Sequence, residues 1–225
     1  EVGLLHALHA YKREPISPIK LAKEACFVEI EKLKRPVGPQ DQYIAAIGGI
    51  NYFEIDKSGR INFEPLRLST HNIAELESNL LFFRTGIMRF AHEVLGAEKL
   101  RLDNQNSKDK IIKSLDEIKA LGQDAKKFLL KGRLDDFGKS FDTHWQIKKG
   151  LSTKVSNPQI DDWYNEALKA GALGGKIMGA GGGGWFVFYV NKNKEKFRRR
   201  MEKIGLEEKN VRFDWEGTKV LVNLS

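Results

Sequence analysis

The sequence contains a single cysteine, Cys26, and no apolar run that approaches the about 18 residues needed to cross a bilayer. One cysteine excludes an internal disulfide framework and a cysteine-rich zinc site, and it suits a reducing compartment. The N-terminus also lacks a charged start followed by an apolar core and a cleavage site, which is the pattern of a secretory signal. The sequence therefore predicts a cytoplasmic protein without a membrane partner.

No block of one charge sign dominates the chain, although 38 Lys and Arg residues against 30 Asp and Glu residues give a formal net charge of +8. Such a charge would suit a nucleic acid, an acidic surface or a small phosphorylated substrate. The basic residues are spread over segments interrupted by apolar residues, which is typical of solvated helix faces. A nucleic-acid binder is thus an alternative supported by charge alone, and we expect no nucleic-acid partner.

With 225 residues, of which 41% are hydrophobic, the chain can bury a real core. Helical spacing and capping signals predict helices over residues 1–11, 18–34, 86–95, 111–132, 134–149, 158–171 and 194–204. Apolar runs predict strands over residues 50–55, 61–66, 79–84 and 185–190, and a closing hairpin from residues 211–215 and 220–224. Helices and strands mix without strict alternation, which favours an α+β fold over a doubly wound parallel sheet.

Glu29 is the first candidate for a chemical role. When residues 18–34 are placed at about 100° each around a helix axis, Glu29 falls in the middle of the apolar arc, which comprises Leu21, Ala22, Ala25, Cys26 and Leu33. A buried carboxylate without a partner is costly, so we expect Glu29 to meet a cation, a metal ion or several donors. A structural salt bridge with a core Arg or Lys is the alternative.

Asp41 is the second candidate, in a loop stiffened by Pro36, Gly38 and Pro39 that presents Asp41 and Gln42 together. A carboxylate held in this way can orient or deprotonate a substrate hydroxyl, which is the modest chemical share of a protein in phosphoryl transfer. The alternative is an Asp that caps a helix beginning near residue 43.

A glycine-rich segment, Gly179–Gly184, is the third candidate. Its residues Gly179, Gly181 and Gly184 match the three-glycine dinucleotide pattern, but the segment follows helical sequence and enters a strand, which is the reverse of that motif. It also lacks the ending of a P-loop. Its amides can still face an anion or pack against another loop. A flexible turn is the alternative.

These three features occur in the order of a known family. An inward Glu, a Gly-x-x-Asp-Gln loop and a late glycine run that enters a strand resemble the GHMP kinases. The sequences of three segments are most similar to those of D-glycero-D-manno-heptose 7-phosphate kinases, namely Gly38–Tyr43, Thr85–Arg89 and Gly174–Gly184. The resemblance implies a truncated ribosomal-S5-like N-terminal domain over residues 1–76 and a ferredoxin-like C-terminal domain over residues 77–225.

The resemblance also implies roles for single residues. Asp41 would orient the sugar hydroxyl or accept its proton, and Glu29 would coordinate the Mg2+ that bridges the ATP phosphates. Gly179, Ala180 and Gly181 would lie beside the nucleotide. The sugar substrate would be held by Gln42, Gly181, Gly182, Gly183 and Arg89, whose guanidinium suits a substrate phosphate.

The activity implied is transfer of the ATP γ-phosphoryl group to the anomeric hydroxyl of a heptose 7-phosphate. A kinase for fucose or galactose and a non-catalytic sugar-binding regulator on the same fold are the alternatives, and a homodimer is left open. The Gly- and Ser-rich phosphate loop of the family is absent from the sequence, and residues 1–11 look like the helix that this loop would open. The five histidines show no metal-ligand spacing.

Overall fold

The computed structural model describes residues 1–88 and 91–222, without the side chains of residues 91–93. The described residues divide into two units. The first comprises Glu1–Arg67 with the described residues from Arg212 onward, and the second comprises Leu68–Val211. Each unit combines helices with antiparallel strands, so the α+β fold class is confirmed. The family domain boundary after residue 76 stays a prediction.

The first unit packs its helices around a small core beside one hairpin. Its elements are α1 (Val2–Tyr11), α2 (Pro18–Cys26), a π-helical turn (Phe27–Lys32), α3 (Gln40–Ile47), β1 (Asn51–Ile55) and β2 (Ile61–Pro65). The two strands pair antiparallel with Phe53 opposite Phe63. Asp56 closes the predicted turn, since its carboxylate accepts the amides of Ser58 and Arg60 at 2.8 and 3.0 Å.

Helix α2 begins where the sequence predicts. Ser17 accepts a hydrogen bond from the amide of Lys20, and Pro18 occupies the first helical position, where its missing N–H costs nothing. The α-helical pattern then ends at Cys26 and continues as the π-helical turn. This change moves later residues off the predicted arc, and Leu33, which was expected to be buried, is 56% exposed.

The second unit contains a four-stranded antiparallel sheet in the order β4-β5-β3-β6. Its strands are β3 (Leu80–Arg84), β4 (Gly174–Ile177), β5 (Trp185–Tyr189) and β6 (Glu207–Lys209). Its helices are α4 (Thr70–Asn79), α5 (Ala91–Asp103), α6 (Gln105–Leu130), α7 (Leu134–Lys149), α8 (Pro158–Lys169) and α9 (Lys194–Lys203). Asn157 caps α8 by accepting the amide of Ile160 at 3.0 Å, as its Asn-Pro start predicts.

Aromatic side chains fill the core of the second unit. Phe83, Phe186, Phe188 and Phe197 are fully buried, and neighbouring rings in this set lie 4.8 to 6.1 Å apart. Helix α7 approaches the sheet at Gly138, where an added Cβ would lie 2.3 Å from the ring of Tyr189. Glycine is therefore required for this close approach, which places α7 directly against β4 and the glycine-rich segment that follows it.

Two predicted elements are wrong. The closing hairpin does not form in the described part of residues 211–222, where the Asp214 carboxylate accepts the amides of Glu216 and Gly217 and Thr218 donates its amide to Ala45. The backbone groups of this tail therefore bond to the Asp214 carboxylate and to α3 and do not pair as two strands. The predicted start of a helix at residue 86 is wrong, since residues 85–88 form no helix, and the described helix α5 covers Ala91–Asp103. Helix α4 and strand β4 were not predicted.

Membrane insertion through a helix finds no support within the described ranges, because none of their helices is both long enough and apolar enough to span a bilayer.

Candidate active site

Glu29 lies on the π-helical turn of the first unit, and its side chain is 17% exposed. Its carboxylate accepts a hydrogen bond of 2.6 Å from Nε2 of Gln42 and one of 3.1 Å from Arg35. The Gln42 hydrogen bond, and more weakly the Arg35 guanidinium, hold the pKa of Glu29 below its usual range despite partial burial. Glu29 is therefore a carboxylate anion at neutral pH.

The alternative of a salt bridge with a core Arg or Lys is wrong, because the ion-pair partner of Glu29 is Arg35, which is 60% exposed. A surface guanidinium screened by water contributes little to stability. The partner that fixes Glu29 is instead Gln42, which is 5% exposed and lies 13 residues further along the chain.

The π-helical turn itself gives Glu29 its direction. Such turns insert one residue into the helical repeat and occur often at functional sites. In this turn Leu33 donates its amide to the carbonyl of Val28, a bond across five residues. The sequence pattern found Glu29 but could not reveal this change of repeat, since nothing between Phe27 and Lys32 is a helix breaker.

Asp41 lies in the first turn of α3, which begins at Gln40, and not in the preceding loop as the sequence suggested. The helix has no side-chain cap, so the capping alternative for Asp41 is wrong. Asp41 is exposed, and its carboxylate has no hydrogen-bond partner within the described ranges. Asp41 thus presents a free carboxylate beside Gln42, the residue that fixes Glu29.

These residues fit a Mg2+ ion that also binds phosphates. The carboxyl group of Glu1 neighbours Glu29, and desolvation together with the Glu29 carboxylate raises the pKa of Glu1. Mg2+ takes one or two carboxylates, keeps several waters and completes its shell with substrate phosphates. A group of three or more His, Cys, Asp or Glu that could hold a metal by itself is absent from the described residues.

The glycine loop, Gly179–Gly184, connects β4 to β5 in the second unit. All five of its glycines have a positive φ, from 66° at Gly179 to 154° at Gly183. Residues other than glycine rarely adopt these conformations, so the backbone of the loop requires glycine at these five positions. The flexible-turn alternative does not fit the contacts that hold it.

Two neighbouring segments hold the glycine loop. On one side Thr85 donates its hydroxyl to the carbonyl of Gly184 at 2.9 Å, and the amide of Gly184 donates to the carbonyl of Ile87 at 3.0 Å. On the other side the amide of Gly182 donates to the carbonyl of Val155 at 2.5 Å. An added Cβ would lie 2.7 Å from the Ile87 carbonyl at Gly183 and 2.8 Å from the Val155 side chain at Gly181. The loop is therefore clamped.

Sequence reasoning missed Thr85, Val155 and Lys148 as supports of this loop. Lys148 on α7 donates its ammonium to the carbonyl of Gly179. A signal existed for Thr85, which opens one of the segments similar to the heptose kinases. None existed for Val155 or Lys148, because their contacts span about 30 residues of chain. Arg89, the predicted phosphate ligand, lies outside the described residues.

The histidines of the first unit have ordinary roles. His9 lies 2.7 Å from a Glu24 carboxylate oxygen, and His6 lies 3.4 Å from the hydroxyl of Thr218.

A family comparison gives the class of protein. The model described as "GHMP kinases C terminal" matches residues 125–205, which run from α6 to just beyond α9 and include the glycine loop. The chain therefore contains a GHMP kinase C-terminal domain, and the resemblance inferred from the motifs is confirmed.

Three individual relatives show which kinases the chain is similar to. A D-glycero-alpha-D-manno-heptose 7-phosphate kinase of Campylobacter jejuni is 32% identical over 197 residues, which are 86% of this chain and 56% of that protein. A solved structure of a D-glycero-D-manno-heptose 1-phosphate kinase from Bacteroides thetaiotaomicron is 25% identical with a TM-score of 0.72, covering 96% of this chain and 59% of that one. A galactokinase of Pyrococcus furiosus is 25% identical, covering 100% of this chain and 67% of that protein. The chain thus spans little more than half the length of the heptose phosphate kinases it matches.

Proposed function

We propose that the protein is an ATP-dependent sugar kinase that transfers the γ-phosphoryl group to the anomeric hydroxyl of a heptose 7-phosphate, supplying precursors for nucleotide-activated heptose and surface glycans. The observation that carries the proposal is the pairing of an oriented carboxylate, Glu29, with a free one, Asp41, through Gln42. The similarity to a heptose 7-phosphate kinase supports the choice of acceptor.

In this proposal Asp41 acts on the acceptor. Its exposed carboxylate accepts a hydrogen bond from the reacting hydroxyl, orients the oxygen lone pair toward the γ-phosphorus and takes the proton as the new P–O bond forms and the bond to ADP breaks. The first turn of α3 fixes Asp41, and Gln42 beside it is anchored on Glu29. Gln42 is therefore a positioning residue, which ties the acceptor side of the site to the metal side.

Glu29 holds the metal side. Its carboxylate is negative at neutral pH, it is partly exposed, and it has the Glu1 carboxyl as a neighbour. When bound there, Mg2+ would neutralise charge on the ATP phosphates. The clamped glycine loop of the second unit provides backbone without side chains, which suits close packing against phosphate and sugar. We assign Gly179, Ala180 and Gly181 to the nucleotide and Gly181, Gly182 and Gly183 to the sugar.

The test uses the intact protein with Mg-ATP and a panel of D-glycero-D-manno-heptose 7-phosphate, unphosphorylated heptose, fucose and galactose. ADP release identifies the acceptor, and 31P NMR of the product shows whether the new phosphate is at the anomeric carbon. We expect Asp41→Asn to lower kcat by at least about 100-fold, which is the range for a general base.

The control is Glu31→Gln, which removes a carboxylate from the same π-helical turn as Glu29 and should leave kcat within about twofold. An Asp41→Asn enzyme as fast as wild type would refute the mechanism. Sugar binding without ADP release by any acceptor would refute the kinase and favour the regulator. Preference for fucose or galactose would keep the kinase and replace the acceptor.

A further inference from the structure

Three basic side chains meet where the glycine loop begins. Phe141, His144 and Lys148 lie about one turn apart along α7. The ammonium of Lys176, on β4, lies 5.4 Å from the centre of the Phe141 ring. Lys148 donates to the carbonyl of Gly179, and the positive charges of Lys176 and Lys148 both act on His144. His144, Lys148 and Lys176 form what we call the basic cluster.

Lys176 has no counter-ion among the residues that the structure describes. The residue is only partly buried as a whole, but its ammonium is enclosed, and desolvation lowers its pKa. No carboxylate lies within 4 Å of this ammonium among the described residues. A cation taken out of water without an anion is costly, and one aromatic ring offsets only part of that cost.

Two acids, Asp142 on α7 and Asp161 on α8, are already engaged with other partners. Asp142 accepts hydrogen bonds from the hydroxyl of Tyr164 at 2.6 Å and from Gln146 at 2.9 Å. Asp161 pairs with Lys149 at 3.2 Å. Among the described residues, these two carboxylates therefore serve other partners, and the Lys176 ammonium is left without one.

His144 supplies an independent sign of a missing ligand. Its Nδ1 is buried and has no hydrogen-bond partner in the described part of the chain. Burial, followed by the charges of Lys176 and Lys148, lowers the pKa of His144 to about 3. The ring is thus neutral, and a buried polar atom without a partner destabilises the fold unless a ligand bonds to it.

We propose that the basic cluster binds a phosphate monoester dianion at the entrance of the glycine loop. Two lysine charges balance the two charges of the dianion, and three donor groups match its three terminal oxygens. The proposal rests on the proposed function only for the source of this group, which is then the phosphate of the sugar acceptor. It adds to the contact predicted for Arg89 and does not replace it.

The first measurement is calorimetric titration of the intact protein with inorganic phosphate. Lys176→Met keeps the length of the side chain and removes its charge, and we expect it to weaken phosphate binding by about 10- to 100-fold. The matched control is Lys139→Met on the same helix, with a side chain that is 63% exposed, which should change binding by less than about twofold. Lys148→Met serves as the second variant if Lys176→Met does not fold.

The second measurement separates the two sources of phosphate. If the acceptor supplies it, Lys176→Met raises KM for the heptose 7-phosphate but not for unphosphorylated heptose or ATP. If binding of inorganic phosphate is lost while these KM values stay constant, the cluster is a site for free phosphate. Both results support the cluster, and the calorimetry stands even when no sugar is phosphorylated.

A wild-type protein that does not bind inorganic phosphate would overturn the proposal. So would a Lys176→Met protein that binds phosphate as tightly as wild type, or a Lys139→Met protein that loses as much. Binding of phosphate to the wild-type protein must also shift the NMR signals of the His144 ring. Ring signals that do not shift when phosphate is added would place the ligand elsewhere.

Discussion

The hydrogen bond from Gln42 to Glu29 can be measured by a double-mutant cycle that combines Gln42→Leu with Glu29→Leu. The bond is 2.6 Å long, and Gln42 is 5% exposed, while the second partner of Glu29, Arg35, is 60% exposed. A cycle of Arg35→Ala with Glu29→Leu is therefore the matched comparison. The two cycles separate a buried contact from a surface contact on one carboxylate.

The expected magnitudes follow from burial. A hydrogen bond to a charged acceptor contributes about 1.5–3 kcal/mol, and we expect about 1.5 kcal/mol because the Glu29 carboxylate keeps some contact with water. The Arg35 pair should contribute about 0.5 kcal/mol. Gln42→Leu alone underestimates its bond, since it also removes Oε1, a buried atom without a partner in the described ranges. The cycle cancels this effect.

The pH dependence gives a second check. Because folding lowers the pKa of Glu29, the Gln42 coupling is fully present above the unfolded-state pKa of a glutamate, about 4.3, and is lost as the pH falls through the lower folded-state pKa. Denaturant unfolding of the four proteins of the Gln42 cycle at pH 7 and at pH 3 measures this change. The reasoning is refuted if the Arg35 coupling equals the Gln42 coupling at pH 7, or if the Gln42 coupling is as large at pH 3.

Two further predictions concern the second unit. Gly183→Ala should lower the free energy of unfolding by more than about 2 kcal/mol and lower kcat, since φ is 154° and the new Cβ would lie 2.7 Å from the Ile87 carbonyl. Gly179→Ala should lower the free energy of unfolding by only about 1 kcal/mol, since φ is 66° and no atom lies within 4 Å of the new Cβ. Equal losses in denaturant unfolding would contradict the clamp. His144 should stay neutral down to about pH 3, so its contribution to stability is full above about pH 6.5 and declines toward pH 3; ring NMR signals that titrate near pH 6.5 would show that it is not buried.

Local sequence chemistry was sufficient where an element is specified by its own residues. The Ser17-Pro18 and Asn157-Pro158 starts, the Asp56 turn and the apolar run of β5 appear as predicted, because caps, turns and continuous apolar strands depend on neighbours a few residues away. The prediction of a hairpin after residue 210 was wrong for the same reason. Its apolar pattern suits a hairpin, but its hydrogen bonds go to α3, which no local pattern encodes.

The sequence alone predicted which residues would carry chemistry and in which order, since Glu29, Asp41 and the glycine run stand in the motif order of the GHMP kinases. Only the tertiary structure decided how they are held. The π-helical turn directs Glu29 to Gln42, and Thr85, Val155 and Lys148 hold the glycine loop. These contacts join residues far apart in the chain, so their energies depend on packing that a linear pattern does not contain.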